Sequence, residues 1–304
     1  MLVGRTRLAA DLVALGLRRG TVAFVHCRMS ALGRVIGGAE TVIRALLDAV
    51  GPEGTLVAYV GWQDGPSDDL DLLAPGDREL VLAEQPVYDS SVGRARRDHG
   101  RVAEALRTWP GAVHSGHPEA GVATVGRDAE AVALPHPLDD AYGPGTPYAR
   151  VVEQGGQVVV LGAPLDTITL VHHAEAVACV DGKRRVEWRC PVLVEGEREW
   201  RALHDIDTSV GALPYGGITG GVDYVEHFAR AALERGAGSS GPLGAGTGHV
   251  LDARVLTETT VELIESAFGV SGAAVTSDDQ TADLPDVADG GSGSGPSASD
   301  PAQD

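Results

Sequence analysis

Two side chains near the middle of the chain have the types and spacing of a proton-transfer pair. In the segment Gly162 to Val177, GAPLDTITLVHHAEAV, His172 and Glu175 stand three residues apart. On a helix that spacing puts both on one face. A carboxylate beside an imidazole fixes the ring tautomer and raises its basicity, as a general base requires. The same pair on a solvated helix is an ordinary surface ion pair. The apolar strand ahead of it and its small flanking residues favour burial. A second reading is a metal-dependent hydrolase built on His26, His117, His172 and Glu175. Against it, His172 and His173 are adjacent rather than four apart, and a helix turns neighbours about 100° from each other. No metal is expected, and His173 reads as structural. Cys27 is a conceivable nucleophile, but a reactive thiolate needs a specific electropositive setting.

The elements that must position these residues alternate between strand and helix. Thr21 to Cys27, TVAFVHC, is a continuous apolar run and reads as a buried strand. Gly37-Gly38 opens a helix over Ala39 to Val50, closed by Gly51 and Pro52, and Thr55 to Val60 is the next strand. Strand, helix and strand with short connections imply a parallel βαβ unit. Gln157 to Leu161 is a further buried strand, and Thr167 to Val180 the helix that carries His172 and Glu175. Helices are also expected at Arg7–Leu17, Val102–Arg107, Asp223–Arg235 and Val255–Phe268, a short strand at Val122–Val125, and a hairpin over Arg185–Trp200 turning at Glu195-Gly196. Residues 61–101 show little periodicity and read as a long polar loop of functional kind.

Composition narrows the partners. The chain has 304 residues, 43% hydrophobic, and a formal charge of −19. Seven of its aspartates lie in residues 271–304, which hold no Lys or Arg, so −19 less those seven charges leaves −12 for the rest. That balance disfavours nucleic acid and anionic membranes and suits a cationic ligand. Residues 1–270 are expected to form one domain. Residues 271–304, rich in Gly, Ser, Pro and Asp, are expected to be a disordered acidic tail. Three cysteines without a CxxC pair suggest neither a disulfide framework nor a zinc cluster. With no apolar leader segment, a cytoplasmic protein is expected, as monomer or homodimer.

Several motifs in order resemble the aminoglycoside 3-N-acetyltransferases, the antibiotic N-acetyltransferase family. Val25-His26 through Ser30-Ala31-Leu32-Gly33 is similar to the family's VHxSLxxLG run. Gly37 to Val42, Gly51 to Leu56, Gly61 to Pro66 and Tyr88-Asp89 match its next helix, strand and loop. Ser115-Gly116-His117-Pro118 resembles its SxHP element, Gly143 to Pro147 its GxxSP element, and Gly162 to Val177 its signature. Asp207-Thr208 and Gly248 to Ala253 also fit, so the likeness covers residues 5–268. Thr146 replaces the usual serine, and Cys27-Arg28 stands where the family has small residues.

The resemblance implies an α/β fold, with helices in three layers around a mixed, partly parallel β-sheet. This differs from the GCN5-type acetyltransferase fold, whose coenzyme motif Q/R-x-x-G-x-G/A is approached only by Arg235-x-x-Gly238-x-Ser240, expected in a loop. It implies transfer of an acetyl group from acetyl-CoA to the 3-amino group of 2-deoxystreptamine aminoglycosides, inactivating the antibiotic. His172 would be the base and Glu175 its orienting carboxylate, with direct transfer and no acyl-enzyme. His26, Ser30, Gly33, Ser115, His117 and Thr146 would meet the coenzyme; as loop residues, they also suit turns and caps. Asp64, Asp89, Glu104 and Asp207 would meet the cationic acceptor, provided no arginine neutralises them. Trp62 would stack on a sugar ring or pack in the core. An acetyltransferase of the same family acting on a different amine, and an acidic protein that only binds a cation, are the alternatives.

Overall fold

A computed structural model describes residues 1–66 and 70–271. Apart from Ser271, the expected acidic tail lies outside the described residues.

In chain order, β1 (Leu2–Val3) and α1 (Arg5–Ala14) precede β2 (Val22–Cys27), β3 (Arg34–Val35), α2 (Gly38–Val50) and β4 (Thr55–Tyr59). Next come α3 (Pro75–Glu84), α4 (Gly100–Arg107), β5 (Val113–His114), β6 (Val122–Gly126), α5 (Ala129–Ala133) and α6 (Pro147–Glu153). Then follow β7 (Gln157–Leu161), α7 (Leu170–Val177), β8 (Arg185–Val194), β9 (Glu197–Ile206) and α8 (Gly216–Thr219). α9 (Tyr224–Glu234), β10 (Gly238–Leu243), β11 (Gly246–Asp252) and α10 (Ala253–Phe268) complete the order.

Seven strands form one sheet in the order β10-β11-β7-β2-β4-β6-β5. β2 runs parallel to both β4 and β7, and the outer pairings are antiparallel. Side chains on a strand alternate between faces, and the buried runs use both. Phe24, Val57, Val122, Val158 and Val160 face Tyr148 of α6, Val171 of α7, Phe228 of α9 and Leu256 of α10. Ala23, Val25, Leu56, Ala58 and Leu161 face Leu8 and Leu12 of α1, Ile43 and Leu46 of α2 and Leu106 of α4. The arrangement is therefore a mixed sheet between two helical layers. A third, small cluster of Trp62, Cys190, Val192 and Leu203 sits under the β8–β9 hairpin.

Three expectations are corrected. The loop over residues 61–101 contains α3, which buries none of its own residues and so shows no apolar stripe to read. It is tied to the hairpin by Trp200 and Arg198, which donate to the Leu82 carbonyl. Gly238–Ser240 lies in edge strand β10 rather than a loop; its ladder is set by backbone pairing, with Gly241 opposite Gly248, so apolar alternation is weak. The helix expected over Thr167–Val180 is a 3-10 turn, Leu165–Thr167, followed by α7, because Ile168 between them leaves the helical region, with ψ 89°. The hairpin turns at Glu195-Gly196, as read, and runs on to Ile206.

The three central parallel strands end together at Cys27, Tyr59 and Leu161. Their chain connections leave to both sides of β2, so a crevice opens beyond the carboxyl ends. Gly162 lets the loops after β2 and β7 meet there. Its φ is +66°, and a Cβ on it would lie 2.8 Å from the Ala31 Cβ.

Candidate active site

A cleft of about 890 Å³ occupies that crevice. It is walled by Val25, His26 and Cys27 at the end of β2, Arg28 to Ser30 and Gly33 in the following loop, and Tyr59 at the end of β4. Asp98 to Ala103 form its opposite wall, and Ala163, Pro164, Thr167 and Thr169 its third side. The size is that of a cofactor or drug-sized site, roughly 300–1,000 Å³. A smaller cleft of about 460 Å³ adjoins it, sharing Asp98 and lined by Trp62, Trp188, Arg97 and Glu119.

The His172–Glu175 pair forms as the spacing predicts. His172 Nδ1–H donates to Glu175 Oε2 at 2.8 Å. Glu175 is buried, and its other oxygen accepts from the Ala212 amide at 2.8 Å and the Tyr215 hydroxyl at 2.9 Å. Three donors on one carboxylate fix its position, which locks the His172 tautomer with Nε2 as the open acceptor. The ring sits in an aromatic wall, 5.3 Å from Tyr142 and 6.3 Å from Tyr224, whose own ring stacks on Tyr215 at 5.0 Å. His173 points away, as read, and donates to the Tyr142 carbonyl at 2.7 Å.

His26 lines the cleft and lies near His172, which itself does not line it. Burial, then the nearby His99 and His172, push its pKa down to about 3. His99 is held by the Val60 carbonyl at 3.0 Å and lies against Tyr59, whose hydroxyl meets that of Tyr142 at 3.3 Å. Cys27 lines the cleft, but burial pushes its thiol up to about 12, so it carries no thiolate at neutral pH.

Six residues were expected at the coenzyme, and the structure divides them. His26, Ser30 and Gly33 line the cleft. Ser115, His117 and Thr146 do not; they are buried and their polar atoms are taken. Ser115 Oγ accepts from Val122 N–H and bonds His136 Nδ1. His117 accepts from Ala120 N–H and donates to the Leu138 carbonyl. Thr146 caps α6 and donates to the Gly143 carbonyl.

The four expected substrate carboxylates also divide. Asp64 is bound in two places by Arg94, and Glu104 in two places by Arg107, so both are neutralised. Asp89 closes a local turn on Ser91. Asp207 accepts from Ser209 and lies close enough to Tyr224 to raise its pKa, which places it near the His172 end. Asp166, which residue type alone did not single out, lies two positions beyond cleft-lining Pro164. Burial, Asp223 and Glu226 all raise its pKa. Trp62 packs on Tyr88 and also walls the smaller cleft.

Comparison with known proteins now decides the family. The model of the aminoglycoside 3-N-acetyltransferase family matches residues 24–265. The chain belongs to that family. A Streptomyces fradiae relative, aminoglycoside N(3)-acetyltransferase VIII, is 48% identical over 88% of this chain and 93% of its own. The solved structure of AAC-IIIb with CoASH is 40% identical with TM-score 0.80, covering 88% of this chain and 98% of its own. That of AAC-VIa bound to sisomicin is 34% identical with TM-score 0.80, covering 89% and 100%. As a member of this family of acyltransferases, the chain is an enzyme. Among its described residues no three His, Cys, Asp or Glu side chains converge as a metal-binding group.

Proposed function

We propose that this enzyme transfers the acetyl group of acetyl-CoA directly to the 3-amino group of 2-deoxystreptamine aminoglycosides. The observation that carries the reading is the hydrogen-bonded His172–Glu175 pair, on a helix whose cap, Thr169, lines a cleft at the ends of three parallel strands. AAC-IIIb, which shares the fold and 40% of the sequence, binds CoASH, and AAC-VIa binds sisomicin.

The cleft residues suit the coenzyme. Arg28 and Arg101 line it, and among the described residues neither guanidinium has an ion pair. The first turn of α4 also lines it, without a side-chain cap and without an acidic residue. Free arginines and helix amides are the groups that hold phosphates. The coenzyme supplies the activated acetyl group. His172 Nε2 removes a proton from the acceptor amine, and Glu175 steadies the imidazolium that results. The thiol of Cys27, pushed up by burial, is a poor nucleophile for an acyl-enzyme.

The acceptor carries several ammonium groups. Among the described residues Asp166, Asp207 and Asp223 have no close arginine partner apart from the Arg184–Asp207 contact at 3.9 Å; Asp207 also turns on Ser209 and Asp223 caps α9, which leaves each an oxygen for the acceptor. The test is a panel assay. Free thiol should appear from acetyl-CoA with deoxystreptamine aminoglycosides. The protein's own mass should stay unchanged when it meets acetyl-CoA alone. An acetylated protein would contradict direct transfer, and thiol release only with unrelated amines would contradict the acceptor class.

A further inference from the structure

The 3-10 turn Arg97–His99 holds one imidazole of the cleft wall in a single orientation. His99 Nδ1 lies 3.0 Å from the Val60 carbonyl. A carbonyl oxygen only accepts, so Nδ1 carries the proton and Nε2 keeps its lone pair. The Val60 carbonyl also accepts from Arg96 N–H, and His99 N–H donates to the Arg96 carbonyl, so the turn that carries the ring is itself fixed. The Tyr59 ring packs on the imidazole at 4.3 Å. His99 Nε2 makes no hydrogen bond, yet among the described residues His26 Nε2 is the one buried side-chain nitrogen or oxygen without a partner. His99 Nε2 is therefore open to solvent, on a side chain that is only 18% exposed and lines the large cleft. Burial is the largest influence on the ring and lowers its pKa, so it is neutral at pH 7.

We propose that His99 Nε2 accepts a hydrogen bond from the amide N–H of the coenzyme's pantetheine arm that lies nearest the sulfur. The assignment rests on the acetyl-transfer reading above and gives the uncharged arm a polar partner, which that reading lacks. Three observations lead to it. First, a neutral ring with its tautomer fixed by Val60 is an acceptor for a neutral donor. An ammonium group of the aminoglycoside would choose the Asp98 carboxylate instead, whose Oδ1 lies 3.8 Å from Nε2. Second, an amide N–H loses its water on entering a cleft, and a donor left there without an acceptor is costly. An open nitrogen lone pair in the wall meets that need. Third, His26 lies near both His99 and His172, so His99 borders the part of the cleft next to the base. The thioester must reach that base, and the nearer amide of the arm is only two methylene groups from the sulfur. An acceptor fixed on both sides of its ring sets how far the arm enters, and so where the thioester stands.

The test sets wild-type protein, His99→Ala and His99→Gln against CoA and against a CoA analogue in which the amide nearest the sulfur is an ester. Calorimetry reads the binding. The wild-type protein should bind the ester analogue about tenfold more weakly than CoA, the scale of one lost hydrogen bond. His99→Ala should bind CoA about tenfold more weakly and should no longer distinguish CoA from the ester. His99→Phe, which keeps a ring against Tyr59 without an acceptor, should repeat the alanine result. The glutamine Oε1 can accept, so His99→Gln should recover part of the affinity and of the discrimination. In turnover, KM for acetyl-CoA should rise in His99→Ala while KM for the aminoglycoside holds. A purely structural role would weaken both coenzymes alike and keep the distinction between them. Discrimination that persists in His99→Ala and His99→Phe, or is absent from the wild-type protein, would overturn the assignment and leave the transfer reading intact. A rise in KM for the aminoglycoside alone would overturn it in favour of a contact to the acceptor. Failure of the wild-type protein to bind acetyl-CoA would overturn both.

Discussion

Replacing His172 with alanine is expected to lower kcat by about 10²–10⁴-fold, the usual contribution of a positioned general base. Affinities for CoA and for the aminoglycoside should change little. The ring sits on one side of the reaction and is itself only 15% exposed, so it offers little binding surface. The substitution also removes one of three donors to buried Glu175 and leaves the Ala212 amide and the Tyr215 hydroxyl. A stability loss of roughly 1–3 kcal/mol is the expected cost. Assays should therefore run well below the variant's own unfolding temperature. Single-turnover rates and calorimetry check the claim together. A variant that binds poorly but turns over at the wild-type rate once saturated would contradict the base role.

The second large effect is on acid stability. His26, His117 and His136 are buried, and desolvation is the first cause holding their pKa values at about 3, 4 and 3, against 6.5 for a free ring. Each is lower in the folded state, so the unfolded chain binds more protons as pH falls through 6.5. Stability contributed by these neutral rings is complete above about pH 6.5 and is lost on descent toward pH 4. Each ring contributes a slope of up to about 1.4 kcal/mol per pH unit. Asp205 acts in the opposite sense. Burial raises it to about 6, so the folded state takes that proton first and gains stability below pH 6. Three rings outweigh one carboxyl. Urea midpoints should fall steeply between pH 6.5 and pH 4.5, by a net loss on the order of several kcal/mol. A midpoint that stays level or rises over that range would contradict the burial of these rings.

Those histidines also show what sequence reading could reach. The i, i+3 spacing of His172 and Glu175, after an apolar strand, is a local pattern, and the helix that forms delivers it. The parallel core was legible because β2, β4 and β7 are continuous apolar runs. Ser115, His117 and Thr146 show a limit, because hydroxyls and imidazoles in loops serve ligands and caps alike, and the internal hydrogen bonds these three make appear only in the fold. Asp64 and Glu104 carried the right charge, but their arginine partners, Arg94 and Arg107, are found only by folding. Tyr59, His99, Tyr215 and Asp166 went unnoticed for a different reason. The cleft gathers the ends of three strands and the start of α4, and no spacing along the chain records that meeting.

The central claim is acetylation at one amine by this site. Its most direct test is the structure of the product, obtained by nuclear magnetic resonance after incubation of enzyme, acetyl-CoA and a deoxystreptamine aminoglycoside. One acetyl group on the 3-amino nitrogen is the predicted result. An acetyl group on any other nitrogen, or an unmodified antibiotic with the folded enzyme saturated by acetyl-CoA, would contradict it.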